Sequence, residues 1–419
     1  MDRIVVRGGA RLEGEIRASG SKNSTLALMA AALLADGVSV LENAPRLRDV
    51  EAMLELLGAL GARASWESEG GRTLRIDARG VNNFEAPYDL VRKMRASFLV
   101  LGPLLARFGT ARVSEPGGCA IGVRPIDQHL KGLEALGGKL ILDHGYVEAT
   151  SPGLVGRRFS FDLNTVNGTQ NVLMAATLAS GETVIENAAR EPEVVELATL
   201  LSQMGAEIRG AGSARITVTG VGSLRAVRHE VAGDRIEAGT LLAAGIITGG
   251  DVRVTHIDPA LLESTLEKLR ELGAEIEVAS NGVRARAEGP LRGIRAVTAP
   301  FPGFPTDMQA QLMAVLTVAE GSSVVVENVF ENRFMHVPEL QRLGADITVS
   351  GRSAHIRGVA GLMGAPVMAT DLRASAGLLV AALAADGDTV VNRVYHIDRG
   401  YERIEAKLRS LGAEIQREA

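Results

Sequence analysis

The sequence predicts an α/β protein of two domains, each built from three copies of one strand-and-helix unit, with helices enclosed by sheets. Three observations lead there. A glycine-bounded pattern recurs six times along the 419 residues. Each copy is followed by a helix that is apolar on nearly every face, so it must be buried. The composition, with 48 glycines and 3 % aromatic residues, is that of a well-packed chain of Ala, Leu, Val and Ile, and this length exceeds what one core usually holds.

The repeat reads DGVSVLENAPRLRDVEAMLELLGALGA at 36–62 and SGETVIENAAREPEVVELATLLSQMGA at 180–206. It returns as GGDVRVTHIDPALLESTLEKLRELGA at 249–274, EGSSVVVENVFENRFMHVPELQRLGA at 320–345 and DGDTVVNRVYHIDRGYERIEAKLRSLGA at 386–413. An altered copy, FGTARVSEPGGCAIGVRPIDQHLKGLEALGG, occupies 108–138. In each copy a β-branched run predicts a strand. An amphipathic helix follows, and its stop glycine (Gly61, Gly137, Gly205, Gly273, Gly344 or Gly412) supplies a left-handed C-cap. Another strand follows, then the second, apolar helix, as in SKNSTLALMAAALLADG or TDLRASAGLLVAALAADG. No Pro/Ser-rich linker separates the halves, and the polar stretch RAVRHEVAGD at 225–234 is the candidate boundary. Two of the copies contain a His-Ile-Asp tripeptide. His256 and His396 are expected to shape the helix entry there, with Asp258 and Asp398 as N-caps.

Composition also bounds the function. A single cysteine excludes an intrachain disulfide and fits a reducing, cytoplasmic compartment. The start, MDRIVVRGG, lacks the apolar core of a secretory signal, and no uncharged apolar run reaches a membrane span. Net charge −5 with few aromatics argues against nucleic acid as a partner. No HExxH, CxxC or clustered His/Cys spacing predicts a transition-metal site.

The candidate site residues lie where the copies differ. From opening to stop glycine the second copy runs 28 residues, against 23 to 25 in the others, and its extra residues carry Cys119. A core cysteine would replace a small apolar residue. One on a glycine-hinged insertion reads instead as a reactive thiol. Arg124 and the following helix N-terminus favour its thiolate relative to the usual pKa of about 8.5. At the starts of the apolar helices stand Lys22, Arg95, Asn167, Arg235, Asp307 and Arg373. Arg124, Arg190, Arg333 and Arg399 lie in the strand-to-helix loops. Helix N-termini attract anions and arginine grips phosphate and carboxylate, so a small, highly anionic substrate is expected. Asp307, the acid among these cations, stays ionised and is a candidate general base.

Eight ordered segments carry a resemblance that runs nearly end to end. SGSKN at 19–23, MRAS at 94–97, PGGCAIG with RPIDQH at 116–129, and ENAAREPE at 186–193 resemble the UDP-N-acetylglucosamine 1-carboxyvinyltransferase family. So do FPTDMQAQ at 304–311, FENRFMHVPEL at 330–340, ATDLRAS at 369–375 and YHIDRGYERIE at 395–405. The resemblance implies an inside-out α/β barrel of two domains, 22–231 and 1–21 plus 232–419, each of three βαβαββ units, with the active site in the cleft between them. It implies transfer of the enolpyruvyl group of phosphoenolpyruvate to the 3′-hydroxyl of UDP-N-acetylglucosamine, the first committed step of peptidoglycan synthesis. No cofactor is implied. Lys22, Arg124 and Arg399 would hold the phosphate and carboxylate of the donor. Cys119 would protonate its methylene carbon and Asp307 would take the sugar hydroxyl's proton. Asn23, Arg95, Arg124, Pro125, Ile126, Asp127, Gln128, Thr165, Val166 and Val329 would line the nucleotide-sugar site, with Arg333, Asp371 and Arg373 completing the substrate contacts. Two departures stand out: the family's SVGAT is TVNGT at 165–169, and a lysine of some members is Leu163 here. The sister family, 5-enolpyruvylshikimate-3-phosphate synthase, is the alternative enzyme; its chains lack the PGGCAIG insertion and typically read GSKS rather than GSKN. A non-catalytic relative, a third reading, should have lost some of Lys22, Cys119, Arg124, Asp307 and Arg399.

Overall fold

The computed structural model describes residues 2–117 and 125–418. Cys119 and Arg124, with the rest of 118–124, lie outside the described residues. The chain divides into two compact units, with crossings at 19/20 and 232/233. Among the described residues, 20–117 and 125–232 make one unit; 2–19 and 233–418 make the other. Each has its own apolar core, one built from residues such as Leu28, Leu56 and Leu173, the other from Leu242, Val315 and Leu379.

Among the described residues each unit holds three four-stranded sheets of one pairing order. In the first unit, Val38–Glu42 pairs in parallel with Arg228–Glu230 and antiparallel with Leu74–Asp77, which pairs antiparallel with Arg63–Trp66. The same order is built around Thr110–Ser114 and Glu182–Glu186. In the second unit it is built around Asp251–Thr255, Ser322–Val326 and Asp388–Asn392. A two-stranded pair, Leu362–Met363 with Ala385–Asp386, is added there. Several of these strands alternate buried and exposed side chains, so one face of the sheet meets the core and the other meets water. The N-terminal residues belong to the second unit because of hydrogen bonding. Arg3–Arg7 lies between Asp388–Asn392 and Glu414–Glu418, and Glu13–Arg17 pairs with Asp251–Thr255.

The apolar helices are the central ones: Lys22–Ala31 (α1), Leu101–Phe108 (α2) and Val166–Ala176 (α3) in the first unit. Arg235–Ile247 (α4), Gln309–Leu316 (α5) and Leu372–Leu383 (α6) are those of the second. Every residue of α5 is buried, and all of α4 beyond Arg235. Their N-termini follow polar loops, and Ser21, Thr165, Asp234 and Asp371 cap α1, α3, α4 and α6 by accepting backbone N–H groups. The outer helices bury one stripe; in Arg48–Ala59 this is Val50, Met53, Leu56 and Leu57, among others. All six stop glycines have φ between 92° and 115°, a conformation that a side chain disfavours.

Candidate active site

The residues singled out in the sequence at the starts of the apolar helices stand in the first turns of the central helices or in the short 3₁₀ turns that lead into them. Lys22 opens α1, Asn167 and Arg235 lie in the first turns of α3 and α4, and Arg373 is the second residue of α6. Arg95 begins the 3₁₀ run Arg95–Val100 that enters α2, and Asp307 lies in the run Thr306–Met308 that enters α5. Positive helix ends therefore coincide with basic side chains, except where Asn167 and Asp307 stand.

In the second unit these residues form one network. Asp307 Oδ1 accepts from Arg333 Nη2 at 2.8 Å, and Oδ2 from Arg373 Nε at 3.2 Å. Both arginines are buried, and Asp307 keeps a quarter of its side chain accessible. The carboxylate is thus oriented from two sides and still reachable, as a base must be. Arg333 Nη1 donates to Thr306 Oγ1 at 2.9 Å, and that hydroxyl donates to Glu327 Oε2 at 2.8 Å. Glu327 Oε1 accepts from Thr298 Oγ1, Val329 N and Phe330 N at 2.9, 2.9 and 3.1 Å. A fully buried carboxylate with four donors fixes the loop on which Val329 stands, and nothing in the sequence marked Glu327 for that role. For Arg373, burial works against the charge; Tyr401, Asp307 and Asp234 outweigh it and raise the pKa, so the guanidinium remains a cation.

Two histidines lie near Asp371. His336 is fully buried and neither ring nitrogen has a hydrogen-bond partner. Burial, with Arg333 adding and Asp371 opposing, pushes its pKa down to about 4. His396 is lowered as well, by burial and then by Arg399. Both rings are therefore neutral near pH 7. Arg399 is half-buried at the end of the 3₁₀ run Val394–Arg399. Asp258 caps its helix entry as expected, accepting from Ala260 N at 3.0 Å. Asp398 does not: it lies inside the 3₁₀ run and binds Arg417 at 2.6 Å, because the neighbouring C-terminal strand presents a guanidinium there.

In the first unit, Lys22 Nζ lies 2.9 Å from Asp49 Oδ2, and both side chains are nearly inaccessible. Asn23 and Arg95 are half-buried. Gln128 is turned inward: its amide donates to Asp127 and Asp162 and accepts from Asp162 N at 2.9 Å, so it braces the loop before α3. Pro125 and Asp127 are exposed and Ile126 half-buried at the start of Asp127–Ala135. Thr165 caps α3 by accepting from Gly168 N at 3.2 Å, with Val166 half-buried beside it. Leu163, which replaces a lysine of some relatives, is 64 % exposed, as a cation would be. Asn171, buried on α3, accepts from Gly102 N and donates to Phe98 O, and its Nδ2 lies 3.0 Å from His129 Nδ1. Among the described residues no group of three His, Cys, Asp or Glu could hold a metal ion, and no helix is long and apolar enough to cross a membrane.

Comparison with known proteins places the chain. Residues 6–408 match the family model of EPSP synthase (3-phosphoshikimate 1-carboxyvinyltransferase). A protein of Myxococcus xanthus named UDP-N-acetylglucosamine 1-carboxyvinyltransferase is 58 % identical over 418 residues, covering all of both chains. One of the same name from Magnetococcus marinus is 56 % identical over 418 residues, covering 100 % of this chain and 99 % of that one. Among solved structures, the enolpyruvyl transferase NikO of Streptomyces tendae superposes with a TM-score of 0.89 at 28 % identity, over 99 % of this chain and 98 % of that one. EPSP synthase of Acinetobacter baumannii, at 18 % identity, shares the fold with a TM-score of 0.77 over the whole of both chains. An α/β chain matched over its full length at this identity is an enzyme of the enolpyruvyl transferases and belongs to the UDP-N-acetylglucosamine 1-carboxyvinyltransferase family.

Proposed function

We propose that the protein transfers the enolpyruvyl group of phosphoenolpyruvate to the 3′-hydroxyl of UDP-N-acetylglucosamine and releases phosphate. The observation that carries this reading is Asp307, an accessible carboxylate oriented by two buried arginines, in a chain matched end to end by relatives of that name. Asp307 takes the proton of the sugar hydroxyl as its oxygen bonds to the central carbon of the donor. The Cys119 thiol gives a proton to the methylene carbon, which becomes a methyl group in a tetrahedral intermediate. The Cys119 thiolate takes a proton back from that methyl group as the carbon–oxygen bond to phosphate breaks, which restores the double bond and the thiol. Lys22, Arg124 and Arg399 hold the donor's phosphate and carboxylate, and cations suit a step in which a dianion departs. Asn23, Arg95, the stretch 124–128, Thr165, Val166 and Val329 serve the nucleotide sugar. Arg333 and Arg373 orient the base, and Asp371, the cap of α6, holds Arg373's first turn.

The six sheets are read as six copies of one βαβαββ-like unit, three to a domain, forming an inside-out barrel around the central helices. The product of this reading is a cell-wall precursor, and the reaction is read as cytoplasmic, at the entry to peptidoglycan synthesis. The test is a pair of incubations of purified protein with phosphoenolpyruvate, one with UDP-N-acetylglucosamine and one with shikimate 3-phosphate. Phosphate release and a product heavier by the enolpyruvyl group are expected only in the first. Release only in the second would assign the chain to the sister reaction, and release in neither would favour a binding protein.

A further inference from the structure

Tyr401 has no role in the chemistry above, yet it touches all three central helices of the second unit. It is 1 % exposed. Its hydroxyl lies 3.1 Å from Thr240 Oγ1 on α4 and accepts from Gln311 Nε2 on α5 at 3.0 Å. The ring lies under Arg373 of α6, with Cζ 5.3 Å from its centroid, within cation–π range. Burial raises the phenol's pKa, so it stays neutral and its hydrogen bonds persist across the working pH range.

The way Arg373 is held makes that ring consequential. The guanidinium is almost wholly buried, and neither Nη1 nor Nη2 has a hydrogen-bond partner. Nε is bonded to Asp307 Oδ2, and the Tyr401 hydroxyl also interacts with the guanidinium. Buried charged donors are costly to leave poorly paired, so what faces the far end of the group sets its angle. What faces it there is Tyr401, ring and hydroxyl together. The turn on which the ring stands is itself tightly fitted: Tyr401 N and Gly400 N both donate to Ile397 O at 3.0 Å. A Cβ on Gly400 would meet Leu372 Cδ1 at 2.0 Å and Arg373 Nη1 at 3.4 Å, so a side chain there would displace Leu372 at the start of α6.

We infer that Tyr401 is a positioning residue for the transfer reaction: its ring, pinned through the hydroxyl by Thr240 and Gln311, seats Arg373 so that Nε orients the Asp307 carboxylate. This rests on the functional reading above. A tyrosine that merely fills the core would affect stability alone. One that orients the base affects the chemical step, and a misplacement of about 1 Å there can cost as much as 10²-fold.

The experiment compares Tyr401→Phe, Tyr401→Leu, Arg373→Lys and the Tyr401→Leu/Arg373→Lys double variant in phosphate release, with melting temperatures measured on the same samples. Tyr401→Leu should lower kcat roughly 10- to 100-fold with little change in KM for either substrate. Tyr401→Phe, which keeps the ring but gives up the hydroxyl's bonds, should recover part of that loss. The double variant should be no slower than Arg373→Lys alone, because both changes break one coupling. Wild-type kcat in Tyr401→Leu, equal losses in the Phe and Leu variants, or additive losses in the double variant would each overturn the inference. If Arg373→Lys and Lys22→Ala leave phosphate release untouched, the functional reading fails and takes this inference with it. If those two lose activity while the Tyr401 variants do not, only the inference fails.

Discussion

Replacing His336 by leucine should make the second unit less sensitive to acid. The ring is fully buried without a hydrogen-bond partner, and its pKa falls from 6.5 to about 4. The unfolded chain therefore takes up a proton on this residue near its ordinary value, whereas the native chain resists until about pH 4. The contribution of this residue to stability is fully present above pH 6.5 and is lost as the pH falls toward 4, because on this residue the unfolded state binds more protons throughout that window. A difference of about 2.5 pH units at 1.36 kcal/mol each corresponds to about 3 kcal/mol. Leucine has no proton to gain, and no partner is orphaned by removing the imidazole. The stability gap between variant and wild type should thus widen by about 3 kcal/mol from pH 7 to pH 4, with a steepest slope near 1.4 kcal/mol per pH unit. The difference reads this residue together with its electrostatic interaction with Asp371 and Arg333, while the rest of the chain is common to both proteins. Urea unfolding at several pH values tests it, followed by backbone circular dichroism because the only tryptophan, Trp66, belongs to the other unit. Parallel stability curves would show that His336 is protonated or paired in the native protein and would refute the reasoning.

Asp307→Asn should lower turnover by about 10²–10⁴-fold while calorimetric affinity for UDP-N-acetylglucosamine changes much less; near-wild-type turnover would leave the base unassigned. The same change leaves two buried arginines without their counter-ion, so the melting temperature should drop as well. Cys119→Ser should fold normally and lose most turnover, whereas Cys119→Asp, whose carboxyl can donate the same proton, should keep much of it. Fosfomycin should add one covalent adduct to the wild type and none to the Asp variant, as read by intact-protein mass spectrometry. Gly205→Ala should destabilise by about 1–2 kcal/mol from left-handed strain alone, since open space surrounds the site. Gly58→Ala, on an exposed helix face with equal room, should instead stabilise by about 0.5–1 kcal/mol, so denaturation midpoints must move in opposite directions.

Much of the fold was legible because its signals are local. A stop glycine is forced by the φ of a single residue, and all six could be placed from spacing alone. A helix apolar on every side can only be buried, as α4 and α5 are. The pairing of the first strands was less accessible from the residues themselves. Nothing in RIVVR says that its neighbours will be strands near positions 390 and 416. Register across such distances depends on the closure of a whole unit rather than on any window of sequence. The His-Ile-Asp tripeptides show the same limit. Two identical triplets at corresponding points of the repeat gave one cap and one ion pair, because only Asp398 has Arg417 beside it.

The candidate site divides along the same line. Cations at helix starts were visible because repetition exposed them, and Asp307 because it broke their pattern. Their partners were not visible. Asp49 against Lys22, Glu327 behind Thr306, and Tyr401 under Arg373 are ordinary residues in sequence, each separated from what it holds by more than twenty positions. Yet these partners decide what the cations can do. A buried arginine without a counter-charge would be driven to solvent or to another anion. Arg333 is kept in place by a carboxylate on each side, one directly and one through a hydroxyl, and so presents a fixed dipole to Asp307 before any substrate arrives. Orientation of that kind costs nothing at the moment of reaction, having been completed during folding. Sequence motifs mark the groups that touch the substrate; the groups that hold those in place emerge only when packing brings distant residues together.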